Sequence, residues 1–208
     1  KAKQTDKDDK LIILYASDME KQHGYIQSAK QKGYEILLLD SPIIGHLLQK
    51  LEGSKEKIQF ARVDSDHIDN LIKKEISQVS KLSDDVKKKL EDMVKETIND
   101  EKFIIKLEAM DSNENPFIIT NPEFMRRMKE MQQSGGGGGM FGSGNMPEMY
   151  NLVVNTNSNL ITQIVGTKTK KKQQKLISQS VDLAKLSHGL LIGEDLTKFI
   201  KRSYEIIK

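Results

Sequence analysis

Apolar residues fall in short blocks along the chain, and the period within each block predicts an element. Leu11-Ile12-Ile13-Leu14-Tyr15 and Glu35-Ile36-Leu37-Leu38-Leu39 are near-continuous runs, the pattern of strands buried on both faces of a parallel sheet. Between them, residues 18–32 have helical spacing and stop at Gly33, a residue suited to a helix end. Strand, helix, strand at this length predicts a right-handed βαβ crossover. Ser41-Pro42 supplies an N-cap and a first-turn proline, and Ile43, Leu47, Leu48 and Leu51 give a second helix its apolar face. Ile58, Phe60 and Val63 alternate roughly as a third strand. Residues 1–75 are therefore expected to form a small three-layer α/β unit with parallel strands.

Residues 76–100 read as a helical connector suited to a hinge. Ser83 is placed to cap it, with Asp84 and Asp85 at the positive end of the helix dipole. Val86, Leu90, Met93 and Val94 share one stripe, and the other face is rich in lysine. Residues 101–208 form the remaining domain. Strands are expected at 103–110, 117–119 and 151–156, and a helix from Asn121-Pro122 to about 133. Residues 134–144 carry five consecutive glycines and read as a flexible loop. A short helix at 160–165 and two long ones at 170–187 and 194–208 follow, with Gly189 and Gly193 at the last turn. The overall class is α+β.

The last two helices each carry an apolar stripe. One has Leu176, Ile177, Val181, Leu183 and Ala184; the other has Leu196, Phe199, Ile200, Tyr204, Ile206 and Ile207. A terminal helical hairpin offers little to cover both, so a second copy completing a four-helix bundle is the simplest way to bury them.

Charge and composition narrow the function. Lys plus Arg number 33 and Asp plus Glu 30, a net charge of +3 that does not itself suggest a nucleic-acid partner. The absence of cysteine excludes disulfides and thiolate metal sites and fits a reducing compartment. No apolar run is long enough for a bilayer, so no membrane partner is expected. The opening Lys1-Ala2-Lys3-Gln4, without Met or an apolar leader, reads as the start of a piece of a longer cytoplasmic protein.

Candidate chemistry is sparse. The glycine run lacks the Gly-Lys-Ser/Thr ending of a phosphate loop. Asp64, Asp66, Asp69 and Glu75 have partial calcium-loop spacing, but the fifth position is Ile68 and the sixth, which needs Gly, is Asp69. His23, His46, His67 and His188 are scattered without ligand spacing, so no metal site is expected. Lys168, Lys170, Lys171, Lys172 and Lys175 have no interleaved aromatics and read as a solvated helix face rather than an RNA-binding surface. A competing reading is an α/β ligand-binding or regulatory domain fused to a helical oligomerisation module, with a pocket near Ser17, Asp40 and Asp64 at the strand ends.

Methionine is the informative residue. Seven of the nine lie between Met110 and Met149. Phe124, Met128 and Met131 recur at i, i+4 and i+7 with Met125 beside them, while Arg126, Arg127, Lys129 and Glu130 take the other face. The following stretch adds Met140, Phe141, Met146 and Met149. Such a stripe is either core or an adaptable surface for many apolar partners, and methionine suits the second use.

Two segments carry a family resemblance. Lys32-Gly33-Tyr34-Glu35-Ile36-Leu37-Leu38-Leu39-Asp40-Ser41-Pro42-Ile43 resembles the end of the middle domain of the heat-shock protein 90 family. Asn121-Pro122-Glu123-Phe124-Met125-Arg126-Arg127-Met128-Lys129-Glu130-Met131 and Met149 to Asn157 resemble its bacterial branch, high-temperature protein G. The resemblance implies an ATP-driven chaperone whose ATP and magnesium site lies in an N-terminal domain outside this sequence, so no catalytic residue and no cofactor are expected here. It also implies homodimerisation through the last two helices. Contact with unfolded or partly folded clients would fall to Phe124, Met125, Met128 and Met131, and Met140, Phe141, Met146 and Met149 of the following stretch are expected to join the same client-binding surface. The glycine-rich loop is longer and richer in methionine than the resemblance leads one to expect.

Overall fold

In the computed structural model, which describes residues 2–41, 44–55, 57–74, 78–127 and 148–207, the first apolar blocks form a parallel sheet. Strands β1 (Leu11–Ala16), β2 (Ile36–Leu38) and β3 (Ile58–Arg62) lie in the order β2-β1-β3, with Leu14 opposite Ile36 and Ile13 opposite Phe60. β1 is central, and its period of two feeds two separate cores. Ile12, Leu14 and Ala16 join Ile26 and Ala29 of helix α1 (His23–Gln31), together with Ala61, Val63, Ile68 and Ile72. Tyr15 joins Phe60 and Leu48 of helix α2 (Ile44–Ser54), with Ile13 packed alongside. A core on each side of one sheet gives the three layers that the pattern predicts.

Local chemistry moves some boundaries. α1 begins later than 18 because the preceding residues close a turn of their own. The Asp18 carboxylate accepts the Glu20 and Lys21 amides at 3.1 and 3.0 Å, and the Gln22 side-chain oxygen accepts those of Ser17 and Asp18 at 2.7 and 3.0 Å. Gly33 ends the helix at φ +75, where the Tyr34 amide reaches back to the Ala29 carbonyl. The run at 35–39 is not a strand buried on both faces. β2 is an edge strand with a neighbour on one side, so Leu37 and Leu38 stay half exposed. α2 departs from its predicted apolar face in the same way. Leu48 is buried while Leu47 and Leu51 are exposed, because a sheet this narrow cannot cover the whole stripe. Pro42 and Ile43 lie outside the described residues. A single turn not foreseen from the pattern, α3 (Ile68–Leu71), follows β3.

Helix α4 (Asp84–Ile98) starts after Ser83, whose side chain makes no capping bond, and buries Leu90 and Val94 against β4 (Phe103–Glu108) and a later helix. It ends at Asn99, which adopts the left-handed conformation and returns its amide to the Lys95 carbonyl. β4 belongs to a second sheet with β5 (Phe117–Thr120) and β6 (Tyr150–Asn155), in the order β4-β6-β5. All six residues of the central β6 are buried. Helices α5 (Asn159–Gly166), α6 (Lys170–Ser187) and α7 (Gly193–Ile207) complete the chain. Gly189 and Gly193 both have positive φ in the α6–α7 turn.

Two asparagines, one ending β6 and one just beyond it, tie this part together. The Asn155 side chain accepts the Met110 and Asn157 amides and donates to the Asp111 carbonyl. The Asn157 side chain accepts the Lys81 amide at 2.9 Å and donates to the Val79 and Met110 carbonyls at 3.1 and 3.2 Å. The architecture is α+β. Its contacts divide it into two compact units, Lys1–Ser77 with Thr120–Asn151, and Gln78–Ile119 with Leu152–Lys208. No helix among the described residues is long and apolar enough to cross a membrane.

Candidate functional site

The 121–133 segment is helical over 123–127 within the described residues, and its charged side faces the protein. Arg126 donates to the Tyr15 hydroxyl at 2.7 Å and pairs with Glu123. Arg127 donates to both carboxylate oxygens of Glu52 at 2.9 and 3.2 Å, to Glu123 at 2.7 Å, and to the Phe60 carbonyl at 3.4 Å. Glu52 also accepts the Phe60 amide at 2.7 Å, which links α2 to β3. Burial pushes the Glu52 carboxyl up, but the Arg127 guanidinium and the Phe60 amide outweigh it and hold the group below its ordinary value. The arginines are thus the docked side. Phe124 is 70% exposed and Met125 half-buried. Met149 is also half-buried, whereas Met128, Met131, Met140, Phe141 and Met146 lie outside the described residues.

The terminal helices carry two stripes each rather than one. At 3.6 residues per turn, Ile177, Val181 and Ala184 share one face of α6, and Leu176 and Leu183 lie about 100° around from it. The first set is buried within the chain; Leu176 is half-buried and Leu183 is 53% exposed. On α7, Phe199 is buried and Leu196 half-buried, while Ile200 and Tyr204 stand out at 44% and 66%. The Ile206 and Ile207 side chains lie outside the described residues. Polar contacts fix the hairpin beneath this outer stripe. Gln179 donates to Ser203 at 3.3 Å, and Arg202 donates to Gln179 at 3.3 Å and pairs with Asp182. Leu186 and Ile192 are also exposed apolar residues that the sequence reading passes over. Leu186 could have been found, because it lies three residues after Leu183 and so shares its stripe.

The strand ends of the competing reading are engaged in the fold's own bonds. The Ser17 amide is taken by Gln22. The buried Asp64 carboxylate is held by Arg62 through two bonds of 2.6 and 2.9 Å, and its carbonyl accepts the Asn121 amide. Asp40 is exposed beyond β2. Of the partial calcium spacing, Asp66 accepts the His67 amide and Asp69 pairs with Lys32, while Glu75 lies outside the described residues. In the lysine cluster, Lys170 pairs with Glu96 of α4 at 2.7 Å.

No family model matches the chain. Curated relatives do match. The chain is 32% identical over its full length to the chaperone protein HtpG of Bacteroides fragilis. It is 32% identical over 98% of its length to that of Porphyromonas gingivalis, and 31% over its full length to that of Bacteroides thetaiotaomicron. It spans about 40% of the length of these relatives. The likeness first read at 32–43, 121–131 and 149–157 therefore runs from end to end, and the sequence is of the heat-shock chaperone class. The chain belongs to the HtpG family, as a C-terminal portion of it.

Proposed function

We propose that this chain supplies homodimerisation and part of the client-holding surface of a cytoplasmic, ATP-dependent chaperone. The observation that carries this reading is the exposure of Phe124 on a helix docked by its charged side. A large aromatic facing solvent beside a methionine-rich stretch is costly for a monomer and useful for binding unfolded chains. The second stripe of α6 and α7 supports the dimer, since Leu183, Ile200 and Tyr204 stay 44–66% exposed among the described residues. Clients are unfolded or partly folded proteins, recognised by apolar surface rather than by sequence. ATP and magnesium act in the parent protein's N-terminal domain, and this chain takes no catalytic part. Nucleic acids and membranes are not its partners.

Two measurements test this reading. Sedimentation of the 23.6 kDa chain at micromolar concentration should give twice that mass, and a monomer would refute the dimer. Phosphate release from ATP should stay at the buffer rate when the purified chain is added, with a full-length HtpG as the positive control. Turnover above buffer would refute the absence of a catalytic role.

A further inference from the structure

An amphipathic helix at a protein surface normally turns its apolar side inward. Within residues 123–127 Phe124 does the reverse, at 70% exposure against 11% for the Arg126 side chain, with Met125 half-buried. So short a stretch has little helical stability of its own and takes its position from tertiary contacts. Two anchors supply those contacts. Tyr15 at the end of β1 accepts from Arg126, and Glu52 near the end of α2 accepts the forked guanidinium of Arg127. Glu123 bonds both arginines and keeps them in register. Two guanidiniums and two carboxylates leave the cluster neutral. Charge-assisted forked bonds of this kind fix direction as well as distance.

We propose that Arg126 and Arg127 are positioning residues for client contact. They fasten the start of the methionine-rich segment to the parallel-sheet unit through Tyr15 and Glu52, so that Phe124 is presented outward. The proposal rests on the client-surface reading and adds what sets the orientation of that surface. Charge therefore has a defined part in an otherwise apolar recognition process. Loss of the anchors would let the segment swing or collapse onto its own apolar side.

The test uses Tyr15→Phe with Glu52→Gln. Both changes spare the fold, because the phenyl ring still fills the core and glutamine can still accept the Phe60 amide. Amide hydrogen exchange over 123–127 should rise by about tenfold, the scale of losing bonds to a charged group, while β1 and β3 amides keep their protection. Suppression of a model client's aggregation, per folded molecule, should fall at unchanged melting temperature. Unchanged exchange over 123–127 would overturn the anchoring. Faster exchange with full client suppression would overturn the positioning role. A parallel Phe124→Ser variant separates the two readings. If it too leaves suppression intact, the client surface lies elsewhere, whatever the anchors do.

Discussion

Replacing Ile200 and Tyr204 together with glutamate is expected to convert the proposed dimer into a monomer that is still folded. Both side chains face outward in the single chain, at 44% and 66% exposure, so the substitutions leave the inner core of Ile177, Val181, Ala184 and Phe199 untouched. Completing the burial of a side chain already about half covered contributes about 1 kcal/mol. Leu183, Leu186, Ile200 and Tyr204 in two copies would then supply about 8 kcal/mol, against an association cost of about 4–15 kcal/mol. Such an interface has little to spare. Removing Ile200 and Tyr204 from both copies takes away about half of it, a weakening of about a thousandfold before the cost of desolvating carboxylates is counted. Sedimentation should show the monomer mass, and circular dichroism should show undiminished helix. Phe199→Glu is the contrasting variant. Phe199 is 7% exposed, so a charge there should unfold the hairpin rather than separate two folded copies. If Ile200→Glu/Tyr204→Glu keeps the dimer mass, the outer stripe is not the interface.

The second large effect is expected at Asn157. Its buried side chain serves Val79 and Lys81 ahead of α4 and Met110 beyond β4, three backbone groups from two segments that no helix or strand ladder joins. Alanine there leaves these groups without partners. The Met110 carbonyl belongs to a fully buried residue, and an unsatisfied group of that kind costs about 1–3 kcal/mol, with smaller losses at the two more accessible positions. A total of about 2–4 kcal/mol should lower the melting temperature of the second unit by at least about 8 °C. Aspartate is the sharper probe, since it keeps the shape but sets a carboxylate against the Val79 and Met110 carbonyls. It should destabilise at least as much as alanine at neutral pH. A shift below about 1 °C for both variants, outside the scale of a lost buried bond, would contradict this account of the segment.

Much of the architecture was legible because the pattern is locally punctuated. Residues 170–187 show a helical period with Gly189 just beyond, and α6 has those bounds. The continuous run at 11–15 marks β1, which the two flanking cores do bury on both faces. The similar run at 35–39 misleads, because composition cannot say whether a strand lies at the centre or the edge of its sheet. β2 lies at the edge, so its leucines remain half exposed.

The candidate site was legible in composition but not in orientation. Methionine enrichment marks the 121–149 region, yet an amphipathic period does not reveal which side is docked. That choice depends on Glu52, whose pairing with Arg127 joins positions 75 residues apart. The stripes of α6 and α7 posed the same difficulty. Apolar positions from two faces interleave along each helix, and only packing separates Val181, buried within the copy, from Leu183, left outside it.

Client holding is the central claim, and aggregation of a heat-denatured model client tests it most directly. Phe124→Ser/Met125→Ser should keep the solution mass and melting temperature of the unsubstituted chain. Its suppression of client aggregation, per folded molecule, should fall by at least about twofold, as for loss of an exposed aromatic anchor. Early melting with suppression per folded molecule unchanged would contradict the account, because it would place these two side chains in the core, where truncation costs about 2–5 kcal/mol.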